Sequence, residues 1–416
     1  MELKADRDTT PRCRACDSRL EHTFVDLGMS PLCESFLLSE QLNQGETFYP
    51  LHVWVCGDCK LVQLQEYVAP DQIFDDYAYF SSFSDSWLRH ARAYSEEVTA
   101  RFGLDERSFV VEVASNDGYL LKNFVEAGVP CLGIEPSGNV AEAARKVGVE
   151  SLVQFFGVET ARQVRSDRGP ASLIAGNNVF AHVPDLRDFS GGLRELLADD
   201  GVVTLEFPHL ERLMAGNQYD TIYHEHFSYL SFHATRRVLG DQGLEVFDVE
   251  ELPSHGGSLR VYAQHRGGPQ ATTDAVSRLE THEREMGFEG MEVYLGFTEA
   301  VQRSKRDTLR FLLDARDQGK RVVAYGAPGK GNTLLNYCGI RTDLIEFAVD
   351  RNPYKHGRFT PGTHIPIHSP EALDEARPDY IFILPWNLRK EIVGQLSHAR
   401  EWGAQFVTPI PSLEVF

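Results

Sequence analysis

Short unbroken apolar runs, separated by longer amphipathic stretches, organise most of this chain. Phe109-Val110-Val111-Glu112-Val113 reads as a buried strand. It opens through Ala114-Ser115-Asn116-Asp117-Gly118 into an apolar helix start, Tyr119-Leu120-Leu121. Further strands are expected at Cys131-Leu132-Gly133-Ile134, ahead of Glu135, and at Leu173-Ile174-Ala175, ahead of Asn177-Asn178. Another is expected at Gly201-Val202-Val203-Thr204-Leu205-Glu206. Strands alternating with helical segments predict an α/β fold, a parallel sheet covered by helices on both faces. In such sheets the ligand sits beyond the carboxyl ends of the strands, where strand order reverses.

The same logic recurs near the C-terminus. Arg321-Val322-Val323-Ala324-Tyr325 predicts a strand that enters a helix through Gly326-Ala327-Pro328-Gly329-Lys330-Gly331-Asn332-Thr333. Two more strands end at Asp350 and at Pro385-Trp386-Asn387, so a second Rossmann-like domain is expected. Between the two lies a helical stretch, 274–318, whose apolar positions (Val276, Leu279, Met286, Leu295, Val301 and Leu312 among them) suit packing rather than chemistry. Residues 1–70 are rich in Cys, turns and short apolar runs. The expected division is 1–70, 71–250 and 251–416, the last including the helical stretch.

Composition narrows the class. The chain has 416 residues, 42% of them hydrophobic and 25% charged, as in globular proteins. A net charge of −20 repels phosphate backbones, so nucleic acid is not an expected partner. No apolar run is long enough to cross a bilayer, and the first residues lack the apolar core of a signal peptide. A cytoplasmic location, no membrane partner and a monomer are expected. In that compartment the seven cysteines are not read as disulfides.

Four of them form two pairs, Cys13-Arg14-Ala15-Cys16 and Cys56-Gly57-Asp58-Cys59. Each pair places two thiolates on one tight turn, and two facing turns complete a tetrahedral sulfur cage. That predicts a structural zinc site with no open position for catalysis. Unrelated thiols or a redox pair are the blander alternative, and paired CxxC spacing weighs against them.

Glu112, Ser115, Asn116, Asp117 and Gly118 form the first chemistry-bearing loop. Glu135, at the end of the next strand, stands where a carboxylate takes ribose hydroxyls. No full GxGxxG is present. S-adenosylmethionine has no pyrophosphate and needs none, so the loop favours a methyl donor over NAD. Asn177 and Asn178 are expected near the donor's methionine end. Phe156 is a candidate to stack on adenine, against the equally plain alternative of core packing.

The densest polar cluster is Tyr219-Asp220-Thr221-Ile222-Tyr223-His224-Glu225-His226-Phe227-Ser228-Tyr229. The metalloprotease pattern HExxH is missing, so general acid–base work suits Glu225 and His226 better than metal binding. His182 follows the strand that ends at Asn177-Asn178. Tyr77 and Tyr79 come from the segment entering the middle domain. For any one of these residues an ordinary hydrogen-bonded side chain is the stronger reading; for the cluster, function is.

In order, the paired CxxC, the SNDG loop, YHEHFSYLS, Ser254-His255-Gly256-Gly257-Ser258-Leu259-Arg260 and YGAPGKGNT resemble the sugar C-methyltransferases acting on TDP-linked keto-deoxysugars in antibiotic biosynthesis, most closely the C3-methyltransferases. The likeness spans nearly the whole chain. It implies three domains, with the active site between the second and third. It also implies that His226 is the base removing the C3 proton, while Tyr223, Glu225, His182 and Tyr77 position the sugar or stabilise an enolate. Tyr79 and His224 are assigned to the substrate; spacing alone does not separate His226 from His224 as base.

The last domain is expected to grip the TDP group. Gly326, Gly329 and Gly331 form a degenerate phosphate turn before a helix N-terminus, and Lys330, Asn332 and Thr333 of the same loop are candidates to bind the substrate. Asp350, Lys355, Trp386 and Asn387 lie at or beyond neighbouring strand ends, and Arg260 is a candidate phosphate ligand. The rival functions are sugar O-methylation and a non-catalytic zinc-ribbon protein that binds nucleotide-sugars. A dehydrogenase is the weakest rival.

Overall fold

The computed structural model describes residues 10–68 and 81–416, so Tyr77 and Tyr79 lie outside the described residues. The chain divides into two compact units. The first comprises Met1–Glu21, Cys56–His209 and Phe227–Gly290; the second comprises His22–Val55, Leu210–His226 and Met291–Phe416. Among the described residues no helix is long and apolar enough to cross a membrane.

In the first unit seven strands form one sheet. Their order is Leu244–Leu252, Ser258–His265, Leu197–Pro208, Ala171–Asn177, Val110–Val113, Cys131–Ile134 and Ser151–Leu152. The last five are parallel, and Ser258–His265 runs antiparallel to both its neighbours. Strand order reverses beside Val110–Val113, so the loops leaving Val113 and Asn177 share one crevice. The predicted strands are present, because each is a run buried on both faces.

Leu244–Leu252 and Ser258–His265 extend that sheet beyond the strands read from the sequence. Glu245, Asp248, Glu250 and Glu251 interrupt the apolar run in the first, and a register shift between Val246 and Asp248 breaks its alternation. Val110, Leu120, Leu121, Phe124, Leu173 and Phe247 pack in one buried cluster with Tyr94 and Val98 of the helix Asp85–Phe102. Each such large apolar side chain contributes about 1.5–3 kcal/mol on burial. That helix starts at Ser84, whose hydroxyl accepts the Trp87 N–H at 3.3 Å, and ends at Gly103 in the left-handed conformation.

The expected helical stretch is divided. Asp274–Glu285 closes the first unit, and Phe297–Asp317 belongs to the second. Gly287, at φ 89°, stops the first helix, and the interruption leaves Met286 and Leu295 about half exposed instead of packed.

The second unit contains a six-stranded sheet. Its order is Ile367–His368, Ala348–Val349, Val322–Tyr325, Tyr380–Ile383, Gln405–Thr408 and Glu414–Val415, all parallel except the last. Order reverses between Val322–Tyr325 and Tyr380–Ile383, which puts the turn after Tyr325 beside Trp386 and Asn387. The antiparallel strands His22–Ser30 and Tyr49–Val55 fold with this unit, through Phe24 stacked on Phe297 with ring centroids 4.7 Å apart. Thus His22–Val55, most of the segment between the two cysteine pairs, folds with the helix Phe297–Asp317.

Candidate active site

Each cysteine pair closes a turn on a residue at positive φ, Asp17 and Lys60. In both turns that residue's N–H bonds back to the first cysteine's carbonyl: Asp17 to Cys13 at 2.9 Å and Lys60 to Cys56 at 3.1 Å. The four sulfurs lie within 4.8 Å of one another, with Cys13–Cys59 and Cys16–Cys56 each 3.5 Å apart. Tetrahedral zinc with bonds of about 2.3 Å requires sulfurs about 3.8 Å apart. The donor set therefore fits zinc. The Gln63 amide adds a hydrogen bond to Cys13 Sγ at 3.1 Å. Four thiolates fill the coordination sphere, so this zinc is structural.

The crevice of the first unit is built by the 114–118 loop. Ala114 and Asn116 hold φ of 57° and 48°, and Gly118 holds 77°. A methyl group on Gly133 would lie 2.3 Å from Ser115 Oγ, so glycine in the neighbouring strand admits the loop. Glu135 accepts the Asn116 N–H on one oxygen and the Ser137 N–H on the other, both at 2.9 Å. The Ser137 side chain also bonds this carboxylate. Asn116 Oδ1 and Asp117 Oδ2 accept the N–H groups of Ser81 and Ser82, at 2.9 and 3.0 Å.

Ser115 Oγ, Asp117 Oδ1 and Asn177 Oδ1 are buried with no hydrogen-bond partner among the described residues. Such atoms are costly unless a ligand satisfies them. An acceptor-rich set around a glycine turn fits the ammonium and hydroxyl donors of S-adenosylmethionine. Glu112 is fully buried beside Tyr119, and burial holds its carboxyl group well above the usual range. Phe156 packs edge-on against Phe189, centroids 5.5 Å apart, while its neighbour Phe155 is half exposed.

Sequence reading missed the wall of this crevice. Glu206, buried opposite Asn177, accepts from His90 Nε2 and Ser254 Oγ at 2.8 Å and from Arg260 at 2.7 Å. Trp87 stacks on His90, and Asn178 Nδ2 lies 3.1 Å from His255 Nε2. Asn178 and His255 both adopt positive φ. Arg260 is 3% exposed, bonded to Glu206 and Glu250 and set over the Tyr94 ring, because Ser258–His265 is an interior strand of the sheet. Its guanidinium is thus engaged by two carboxylates of the same unit.

In the second unit, 219–226 brings Asp220, Tyr223, His224, Glu225 and His226 onto one short segment. His226 Nδ1 lies 2.9 Å from the Thr221 carbonyl oxygen, and its ring sits 4.1 Å from that of Tyr223. His224 is buried, with Nε2 3.3 Å from the Pro50 carbonyl, and burial lowers its pKa. Glu225 accepts from the Cys33 thiol at 3.8 Å; burial, and then the charge of Glu34, push its carboxyl up to about 7. His182 lies in the first unit, half-buried in the 3₁₀ turn Phe180–His182.

The second glycine turn is closed by the unit itself. A methyl group on Gly329 would lie 2.9 Å from both Cys33 Sγ and Glu34 Oε1. Asn332 donates to the Cys33 carbonyl at 2.6 Å, and Thr333 donates to the Ile222 carbonyl at 3.0 Å. Both are buried. Gly331 lies against Leu384. Asp350 accepts from Ala327 N–H at 2.7 Å, and Lys355 donates to the Ala327 carbonyl at 2.8 Å. These residues shape the turn. Lys330, Trp386 and Asn387 stand apart as a connected rim: Lys330 bonds Asn387 Oδ1 and lies 4.6 Å over the Trp386 ring. The Trp386 indole donates to Asp220 at 2.8 Å, and burial raises that carboxyl to about 6.

Three family models match the chain in succession: a zinc binding domain over 13–74, a methyltransferase domain over 87–249 and a C-methyltransferase C-terminal domain over 253–411. C-methyltransferase NovU of Streptomyces niveus is 36% identical over 403 residues, 97% of this chain and 96% of that protein. Solved structures align over less of the chain. A SAM-dependent methyltransferase from Anabaena variabilis is 19% identical, covering 42% of this chain and 84% of its own, with a TM-score of 0.34. An S-adenosylmethionine-dependent methyltransferase from Clostridium acetobutylicum is 10% identical, covering 43% and 92%, with a TM-score of 0.35.

Proposed function

The chain belongs to the C-methyltransferase family and is an S-adenosylmethionine-dependent methyltransferase; on that premise we propose that it methylates carbon 3 of a TDP-linked 4-keto-deoxysugar. Methylation at carbon requires a carbon nucleophile. A ketone at C4 acidifies the C3 proton, and its removal leaves an enolate. S-adenosylmethionine, when bound, supplies the electrophilic methyl group. The chain's own residues must remove the proton, stabilise the enolate oxygen and hold the reacting atoms in line.

The observation that carries this reading is the contact of His226 Nδ1 with the Thr221 carbonyl. A carbonyl only accepts, so the bond puts the proton on Nδ1 and the lone pair on Nε2, the form a general base needs. His224 bonds a carbonyl in the same way, Nε2 to Pro50, but its other nitrogen, Nδ1, is buried inside the protein, whereas His226 is only half-buried. This distinction supports His226 as the base and leaves His224 a packing role. Glu225, with its carboxyl near 7, is part protonated at neutral pH and can donate to a developing oxyanion; Tyr223 lies at hand for the same task. Lys330, Trp386 and Asn387 offer a cation, an aromatic face and an amide to a nucleoside diphosphate.

The test is His226→Ala. Zinc content and donor affinity stay as in the parent protein. Turnover and solvent deuterium exchange at C3 both fall by about 10²- to 10⁴-fold, the usual contribution of a general base. Retained exchange at C3 would assign the base elsewhere and overturn this role for His226.

A further inference from the structure

We propose that Arg14, the residue inside the first zinc knuckle, is a positioning residue for the 181–187 loop and through it for His182. The inference rests on the assignment of His182 to the active site made above. A four-cysteine zinc cage needs only its ligands and their turns to be a staple. Here the knuckle does more, because its two non-ligand residues, Arg14 and Ala15, are both bonded to the segment that follows His182.

The connections run in both directions. Arg14 Nη1 donates to the Pro184 carbonyl at 2.7 Å, and Nη2 donates to the Leu64 carbonyl. The guanidinium lies 5.3 Å from the centroid of the Phe227 ring. From the other side, Arg187 Nε donates to the Ala15 carbonyl at 2.5 Å. The knuckle and the loop are therefore clamped by two arginines of opposite origin. A planar guanidinium suits this task, since it reaches two carbonyls at fixed angles while its face rests on an aromatic ring.

The base of Arg14 is tied to the metal ligands. Its backbone N–H donates to Gln63 Oε1 at 2.9 Å, and the same amide of Gln63 donates to Cys13 Sγ at 3.1 Å. The far end is tied to His182. Phe227 N–H donates to the Ala181 carbonyl at 2.8 Å, and Leu64 N–H donates to the Phe227 carbonyl at 3.0 Å. A continuous set of bonds thus leads from thiolate to Gln63, Arg14, Pro184 and the turn that carries His182. Every group in it belongs to the first unit.

Three variants test this: Arg14→Met, Arg14→Lys and His182→Ala. Readouts are zinc per chain, donor affinity by titration, steady-state kcat and KM, and amide exchange over 181–187. In Arg14→Met, zinc stays at about one per chain and donor affinity stays within about threefold. Amide exchange over 181–187 accelerates, and kcat falls by about ten- to a hundredfold, the scale of a misplaced reacting group. Arg14→Lys restores one of the two carbonyl bonds and recovers part of kcat. Unchanged exchange and kcat in Arg14→Met, with His182→Ala inactive, overturns the proposal. So does a loss of kcat that merely tracks loss of zinc and donor affinity. If His182→Ala is itself fully active, the assignment of His182 fails first, and the functional part of this inference with it.

Discussion

Both units carry a glycine turn leading from a central parallel strand into a helix, and the two turns differ in how many of their polar groups the chain itself satisfies. After Val113 the loop keeps Ser115 Oγ and Asp117 Oδ1 buried and unmatched by any described residue. After Tyr325 the turn mostly meets the chain's own groups: Cys33 and Glu34 crowd Gly329, and the Asn332 and Thr333 side chains donate to carbonyls of the same unit, with Asn332 Oδ1 alone left buried and unmatched by any described residue. Similar sequence punctuation therefore serves two ends. One turn holds bonding capacity in reserve for a ligand. The other uses it to fasten 33–34 and 222 to the C-terminal sheet, and leaves the outward task to Lys330, Trp386 and Asn387.

The sharpest break of this comparison is charge removal in the first crevice. Glu135→Gln keeps the size of the side chain and loses a charge-assisted acceptor. It is expected to weaken S-adenosylmethionine binding by about ten- to a hundredfold, measured by calorimetry. Unaltered affinity would mean that the first turn is no more a ligand site than the second. A smaller effect is expected at the other turn. Glu34→Ala removes a carboxylate from the N-terminus of the helix Gly329–Cys338 and should cost about 0.5–1 kcal/mol of stability in a denaturant titration, with donor affinity unchanged. A loss of donor affinity there would erase the contrast between the turns.

The legible parts of this molecule are those encoded locally. Paired CxxC spacing places four sulfurs because each pair is one turn. Strands such as Val110–Val113 and Cys131–Ile134 are legible because both faces are buried. The parts that were not legible depend on distant partners. That Arg260 lies on an interior strand, Ser258–His265, with its side chain bonded to Glu206, is not readable from its own neighbourhood in the sequence. Cys33 and Glu34 lie about 300 positions from the turn they fill, and no spacing rule connects them to Gly329. The pair His224 and His226 is indistinguishable by composition; each bonds a backbone carbonyl, and it is burial, deep for His224 and partial for His226, that separates them. Nothing in the spacing connects Arg14 to Pro184, 170 positions away, whose carbonyl it bonds.

The most direct measurement supplies a TDP-4-keto-deoxysugar and S-adenosylmethionine carrying a ¹³C methyl group, and follows the product by carbon NMR. The account predicts a labelled methyl coupled to C3 of the sugar, on a carbon–carbon bond. A labelled methyl at the shift of a methoxy group would contradict it.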